Sequence, residues 1–134
     1  MQANACLQPM FNRNASNPGI ARCERPCGRA PWVVGDRVIS HDKIEANDGG
    51  CVFNGMTGTV VEIKGRRVVV EFDAAPTRPR HTFAAADKSI DHAYCITTWK
   101  YQGSKAKAVV VFFAAALRRQ GGGEIAFRVA LRME

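Results

Sequence analysis

Four features that would place a protein in a familiar class are missing from this sequence of 134 residues. The longest strongly apolar run, 108–117, is far below the roughly 20 residues that a membrane-spanning helix needs. The first thirty residues hold no apolar core of a secretion signal, so we expect a cytoplasmic protein with no membrane partner. The sequence also lacks a G-x-x-x-x-G-K-S/T loop to cradle phosphates and an acidic pair placed to hold Mg²⁺.

Cysteine is present but not in a pattern typical of disulfide-rich or zinc-binding proteins. The five cysteines are an odd number, and without an export signal we expect free thiols in a reducing compartment. Cys23 and Cys27 have a spacing that could hold a metal ion, with Cys6 as a third ligand. A structural zinc site needs four well-spaced ligands, and no second close pair follows, so we predict no metal site.

The composition is that of a folded protein with a basic balance. Hydrophobic residues make up 46% and charged residues 23%, which excludes a wholly disordered chain, and the net charge is +7. Residues 1–32 hold four basic and one acidic residue, 33–92 eight and nine, and 93–134 seven and two. A polyanion such as nucleic acid should therefore favour the last third, and the arginines near the N-terminus either contact phosphate or are simply solvated.

The pattern of turn formers and β-branched residues divides the first ninety residues into two parts. Residues 1–31 are rich in Asn, Pro and Gly, which predicts an irregular arm without a long helix or strand. Residues 32–90 read as short strands joined by tight turns, including Asn54-Gly55, with strands over 58–63, 67–73 and 82–83. A polar loop over 42–50 is expected to be exposed. We predict a small SH3-like β-barrel, since closure hides the sheet edges.

The last third, 91–134, has a different character. The apolar run 108–113 is typical of a strand buried on both faces of a parallel sheet, and we predict a helix over 124–133. A parallel sheet needs more strands and crossover helices than these residues supply, so we expect part of a larger α/β domain.

Two motif groups resemble superfamily 1 DNA helicases. Residues 93–104, A-Y-C-I-T-T-W-K-Y-Q-G-S, are similar to the A-Y-A-I-T-x-H-K-x-Q-G-S element of RecD-like helicases and of the helicase halves of conjugative relaxases, the UvrD-like C-terminal region. Residues 34–39, V-G-D-R-V-I, and 52–58, V-F-N-G-M-T-G, resemble the SH3-like barrel inserted in the family's second RecA-like domain. The resemblance implies a mixed β and α/β fold, with the barrel at 32–90 followed by a RecA-like fragment at 91–134.

The resemblance also implies roles for the residues of the first motif. Thr97, Thr98 and Lys100 would contact single-stranded DNA, since hydroxyls and an ammonium group suit phosphate oxygens. The turn that couples DNA to nucleotide would consist of Gln102, Gly103 and Ser104. Trp99 replaces the family's usual histidine, and it either stacks on a base or lies in a core. Lys105 replaces the family's usual acid. Without the resemblance, the segment is a strand with a polar end.

A weaker match covers the C-terminus. Residues 125–132 resemble L-L-Y-T-A-L-T-R, so Arg132 matches the arginine that stabilises the γ-phosphate, and otherwise it is an exposed helix-end arginine. The resemblance implies the C-terminal portion of an ATP-dependent DNA helicase. ATP and Mg²⁺ would serve only the complete helicase, with the N-terminal motor half supplied in cis or in trans. The chain alone is predicted not to hydrolyse ATP.

Two other interpretations remain open at this level. The chain could be a stand-alone KOW or SH3-like nucleic-acid-binding module with a basic tail, because the same barrel pattern occurs in folds of many functions. It could also be a remnant that has kept neither activity.

Overall fold

A computed structural model describes residues 3–74, 76–96 and the two strands 108–116 and 125–133. The chain divides into two compact units, Met1–Tyr101 and Gln102–Glu134. The first unit is mostly β-strand with one α-helix, and its main sheet is curled into a half-barrel. The second unit contributes a two-stranded antiparallel hairpin. Among the described residues, none of the helices is both long enough and apolar enough to cross a membrane.

The main sheet of the first unit has five antiparallel strands. Its strands are β3 (Arg37–Ser40), β6 (Thr57–Lys64), β7 (Arg67–Phe72), β8 (Arg80–Ala84) and β9 (Ile90–His92), in the spatial order β8-β7-β6-β3-β9. Two small ladders accompany it, β1 (Arg22–Cys23) with β2 (Trp32–Val33), and β4 (Ile44–Glu45) with β5 (Cys51–Val52). The predicted strands over 58–63, 67–73 and 82–83 are confirmed, each within a few residues.

The alternation of side chains along β7 explains where the core lies. Val68, Val70 and Phe72 are fully buried and the residues between them are not, as expected for a strand with one face on the core. Phe72 and Phe83 meet edge to face with ring centroids 6.1 Å apart. Burying each such side chain contributes about 1.5–3 kcal/mol. The curl of the sheet is helped by a bulge in β6 between Val60 and Glu62.

Two glycines of the 52–58 motif are required by local geometry. Gly55 has φ of +84°, a conformation that L side chains rarely adopt, so the predicted Asn54-Gly55 turn is confirmed. Gly58 lies in β6 against β7, where an added Cβ would be 2.6 Å from the carbonyl oxygen of Glu71. The motif therefore specifies one turn and one close approach of two strands.

Side chains from the 42–50 loop and from α1 form hydrogen bonds with backbone groups of the two edge strands, β8 and β9. On β8, the Asn47 side chain accepts from the Thr82 amide at 2.8 Å and the Asp48 carboxylate accepts from the Arg80 amide at 2.8 Å. On β9, the Asn4 side-chain amide donates to the His92 carbonyl at 3.0 Å. The loop predicted to be exposed over 42–50 is exposed at most positions, but it contains β4, buries Ala46, and covers a sheet edge with its tip.

The N-terminal arm differs from its prediction as a wholly irregular segment. It contains a nine-residue helix, α1 (Ala3–Phe11), followed by a 3₁₀ turn, Arg13–Ser16. Pro9 lies inside the helix. The local turn formers did not indicate this helix because it is stabilised by tertiary contacts. Its Gln8 side chain is buried in a hydrogen-bond network with the sheet.

The second unit corrects two predictions for the last third. Strand β10 (Ala108–Ala116) confirms a strand over 108–113, but it pairs antiparallel with β11 (Ile125–Met133), not in a parallel sheet. The helix predicted over 124–133 is wrong, because that segment is the strand β11. Residues 125–131 alternate Ile, Phe, Val and Leu with Ala or Arg, a period of two that favours a strand. The described residues show no RecA-like α/β arrangement.

Candidate nucleic-acid interface

A buried carboxylate joins the arm to the sheet. Asp36 has no solvent exposure, and it follows the turn at Gly35, whose φ is +92°. One carboxylate oxygen accepts from the side chains of Asn12 and Tyr94, each at 2.8 Å. The other lies within hydrogen-bond distance of three groups: the Gln8 side chain at 2.7 Å, the Val33 amide at 2.8 Å and the His92 ring at 3.1 Å.

The spacing of the arm's amides explains how α1 reaches this carboxylate. Gln8 and Asn12 are four residues apart, so they project from the same side at the end of the helix. Each also donates to a backbone carbonyl, Gln8 to Pro31 at 2.8 Å and Asn12 to Val34 at 3.1 Å. These two side chains therefore attach the arm both to the backbone on either side of β2 and to the Asp36 carboxylate.

The charge state of Asp36 follows from this set of donors. Burial alone would raise the pKa of the carboxyl group. The hydrogen bonds from His92, Asn12 and its other donors outweigh burial and hold the pKa below its ordinary value. In turn, burial and the neighbouring Asp36 carboxylate raise the pKa of Tyr94, so that its hydroxyl remains a donor. The network is an anion surrounded by donors.

His92 connects this network to a second carboxylate. Its Nδ1 lies 3.1 Å from an Arg25 guanidinium nitrogen, which can only donate, so the ring proton is on Nε2 and points to Asp36. Arg25 also forms an ion pair with Asp91 at 3.1 Å and lies 4.2 Å over the Trp32 ring. Burial lowers the pKa of Arg25, and Asp91 opposes this effect. Every charge in this group has a partner.

The segment after β9 is held at three successive residues. The Ala93 amide donates to the Arg37 carbonyl at 2.8 Å, and the Tyr94 hydroxyl donates to Asp36. The Cys95 amide donates to the Asn4 side chain at 2.6 Å, and the Asn4 amide returns a bond to the Cys95 carbonyl at 3.1 Å. These residues begin the 93–104 motif, so that motif starts from a fixed position on the first unit.

Most of the residues assigned from the sequence are not in the described part of the chain. Thr97, Thr98, Trp99, Lys100, Gln102, Gly103 and Ser104 all lie outside the described residues, as does Lys105. Arg132 lies in β11, opposite Val109 of β10, and not at the end of a helix as predicted. Their proposed roles stay predictions.

On the surface of the sheet, several arginine side chains form ion pairs with carboxylates. Arg37 contacts Asp73 at 2.5 Å, and Arg80 contacts Glu71 at 2.5 Å. Hydrogen bonds from Arg37 and Thr57 lower the pKa of Asp73 against the opposing effect of burial. This pairing agrees with the nearly neutral charge of residues 33–92. Among the described residues, the exposed Arg66 and Arg67 at the turn between β6 and β7 form no ion pair with a carboxylate.

Among the described residues of the first unit, large apolar side chains are exposed at the end of α1, after β5 and, to a smaller extent, at Val61 of β6. Met10 and Phe11 at the end of α1 are 73% and 70% exposed, and Phe53 at the β5 turn is 54% exposed. The Phe11 ring lies parallel to Tyr94, with centroids 6.1 Å apart and planes at 16°. Phe11, Tyr94 and Asp36 were not assigned from the sequence. No local signal in the sequence identifies them, because the burial of Gln8 and the exposure of Phe11 exist only once α1 is attached to the sheet.

Neither a group of metal ligands nor a similarity to a known protein was found that would assign a role to the described residues. Within the part of the chain that the structure describes, no group of three or more His, Cys, Asp or Glu side chains could hold a metal ion. Comparisons with protein-family models, curated proteins and solved structures find no match to this chain.

Proposed function

We propose that this chain is the C-terminal portion of a RecD-like, ATP-dependent DNA helicase and that it contributes a grip on single-stranded DNA. The curled sheet would be the SH3-like barrel insert. The observation that carries the proposal is the attachment of the start of the 93–104 motif: Ala93, Tyr94 and Cys95 are hydrogen-bonded to Arg37, Asp36 and Asn4, respectively. A DNA-contacting element that must transmit force needs such a fixed origin.

The charge distribution supports the same proposal. Residues 93–134 hold seven basic and two acidic residues, whereas the sheet region is nearly neutral. Single-stranded DNA is bound by a positively charged groove with aromatic side chains for stacking, and the 97–104 stretch supplies hydroxyls, Trp99 and Lys100. In this proposal Gln102, Gly103 and Ser104 form the coupling turn, and Arg132 is the arginine-finger candidate.

ATP hydrolysis belongs to the complete motor in this proposal. ATP and Mg²⁺ would bind a motor half supplied in cis or in trans, which would carry the phosphate-binding loop that this sequence lacks. This chain's own part is to hold the strand. An ATPase rate that follows the chain through purification would contradict the assignment of hydrolysis to another motor half.

A stand-alone KOW or SH3-like nucleic-acid-binding module is the second candidate. It is favoured by the antiparallel pairing of β10 with β11, because a RecA-like domain has a parallel sheet. The two candidates differ in ligand preference. A helicase grip should prefer a single strand to a duplex of equal length, whereas equal binding of duplex or of RNA would favour the module.

The test is a titration of labelled single-stranded DNA with the full chain, followed by fluorescence anisotropy at several salt concentrations. Binding led by phosphate contacts should weaken with salt, each contact contributing about 0.7 to the slope of log K against log salt. Lys100→Ala should reduce that slope by about one contact, and Lys88→Ala, an exposed lysine of the first unit, is the matched control. Salt-independent binding, or equal effects of the two substitutions, would contradict the proposed grip.

A further inference from the structure

The helix α1 has an unusual distribution of side chains. A surface helix normally buries apolar residues and exposes polar ones. Here the one buried side chain is that of Gln8, and the residues left in solvent at the helix end are Met10 and Phe11. Because Gln8 and Asn12 attach the helix through hydrogen bonds, the exposed aromatic ring does not serve to hold the helix in place.

The Phe11 ring is the outer end of a column of rings. Trp32 and His92 are buried, with centroids 4.2 Å apart, and His92 is followed by Tyr94 at 5.9 Å with planes at 22°. Phe11 continues the column at 6.1 Å and 16°, and it is 70% exposed. Hydrogen bonds fix the inner rings, since both His92 and Tyr94 contact Asp36. The column therefore presents a supported ring to solvent.

Two arginines follow this ring closely in the sequence. Arg13 is exposed two residues after Phe11, and Arg22 donates to the backbone carbonyls of Ala15 and Asn17. Across the described ranges, neither arginine forms an ion pair with a carboxylate, unlike Arg37 and Arg80 on the sheet. An exposed aromatic ring and an uncompensated arginine in the same short segment are the two kinds of group that bind single-stranded nucleic acid.

We infer that Phe11, supported by Tyr94, is a stacking platform for one unpaired base of single-stranded DNA, with Arg13 on an adjacent phosphate. This inference rests on the proposed function, and it adds a second contact that no motif of the sequence assigned. The platform lies close in sequence to the proposed DNA-contacting stretch 97–104, because that stretch begins three residues after Tyr94. The exposed apolar group consists of only two side chains, which suits a base better than a protein surface.

The test uses the full chain and a labelled oligothymidylate of about 15 nucleotides, near the upper end of the usual site size. Phe11→Ala should weaken binding about 5- to 150-fold, the usual effect of removing an aromatic ring under one base, with an unchanged salt slope. Phe11→Trp should retain or improve affinity. Arg13→Ala should instead lower the salt slope by about 0.7. Phe53→Ala removes an exposed ring elsewhere and should leave affinity unchanged.

Thermal unfolding of each variant separates binding from folding. Phe11 is mostly exposed, so its substitutions should leave the melting temperature nearly unchanged. If Phe11→Leu binds as well as the wild type, the contact is apolar without stacking and the platform is wrong. If Phe11→Ala matches Phe53→Ala while Lys100→Ala weakens binding, the platform is overturned and the proposed function stands. If the wild type binds no single-stranded DNA, both are overturned.

Discussion

Replacing Asp36 by asparagine tests whether one buried carboxylate holds the arm to the sheet. The substitution keeps the shape of the side chain but exchanges one acceptor oxygen for an NH₂ group. In the wild type one oxygen faces two donors and the other faces three. Whichever way the asparagine amide is turned, at least two donors must face its NH₂ group. Those donors then lose the carboxylate as an acceptor in a site without solvent, and although the Tyr94 hydroxyl can rotate to accept from the NH₂ group, its proton then no longer points to residue 36.

The expected loss of stability follows from that count. A buried donor left without a partner costs about 1–3 kcal/mol. Two such donors give a loss of about 4 kcal/mol, a large fraction of the roughly 5–15 kcal/mol that stabilises a typical domain. His92 cannot compensate by moving its proton to Nδ1, because Nδ1 faces the Arg25 guanidinium at 3.1 Å. For a unit of this size, the melting temperature should fall by roughly 15–30 °C.

Urea unfolding followed by circular dichroism measures this loss directly. Asp73→Asn is the matched control, since Asp73 also accepts several hydrogen bonds, from Arg37 and Thr57, but its side chain is 48% exposed. The control should lose no more than about 1 kcal/mol, as is usual for ion pairs in solvent. A loss of unfolding free energy below about 1 kcal/mol for Asp36→Asn, or equal losses for both variants, would refute the claim that the Asp36 carboxylate holds the arm to the sheet.

Two further predictions concern the close strand approach and the response to acid. Gly58→Ala should destabilise the first unit by about 2 kcal/mol in urea, because its Cβ would lie 2.6 Å from the Glu71 carbonyl oxygen, whereas Gly19→Ala, 3.4 Å from its nearest atom, should not. Since the pKa of Asp36 is lowered by folding, its charge stabilises the fold above the unfolded pKa of about 3.9, and that stability is lost as the pH falls toward the folded pKa. Unfolding measured from pH 6 to pH 2 should show this acid loss, and Asp36→Asn should show a smaller one.

The sequence allowed most of the curled sheet to be predicted because its signals are local. The β-branched stretches over 58–63 and 67–73 and the Asn54-Gly55 turn depend on neighbours in the chain, and the structure has strands and a turn there. The pairing of β3 with both β6 and β9 was not predictable in the same way. It depends on contacts between residues that are far apart in sequence.

The sequence predictions that are wrong also concern elements that depend on contacts between residues far apart in sequence. The helix α1 is held by Gln8 and Asn12 through Asp36, partners more than twenty residues away, so the turn formers around it gave a misleading local signal. In β11, pairing with β10 along nine residues outweighs the helical propensity of its Ala, Leu and Arg residues. The candidate interface at Phe11 was missed because it is formed by a helix that the sequence did not indicate.

Tyr94 shows why a polar network lies at this position. Its hydroxyl donates to Asp36 at 2.8 Å, and its ring supports Phe11. An apolar cluster would cost less to bury than a carboxylate with five contacts, and it would hold the arm to the sheet with as much stability. Apolar packing, however, fixes no particular angle between rings, whereas directed hydrogen bonds fix the orientation of His92 and Tyr94. Since a site that is rigid before binding loses less entropy when the ligand arrives, the buried network would preorganise the surface at the end of α1 for the base contact that we propose.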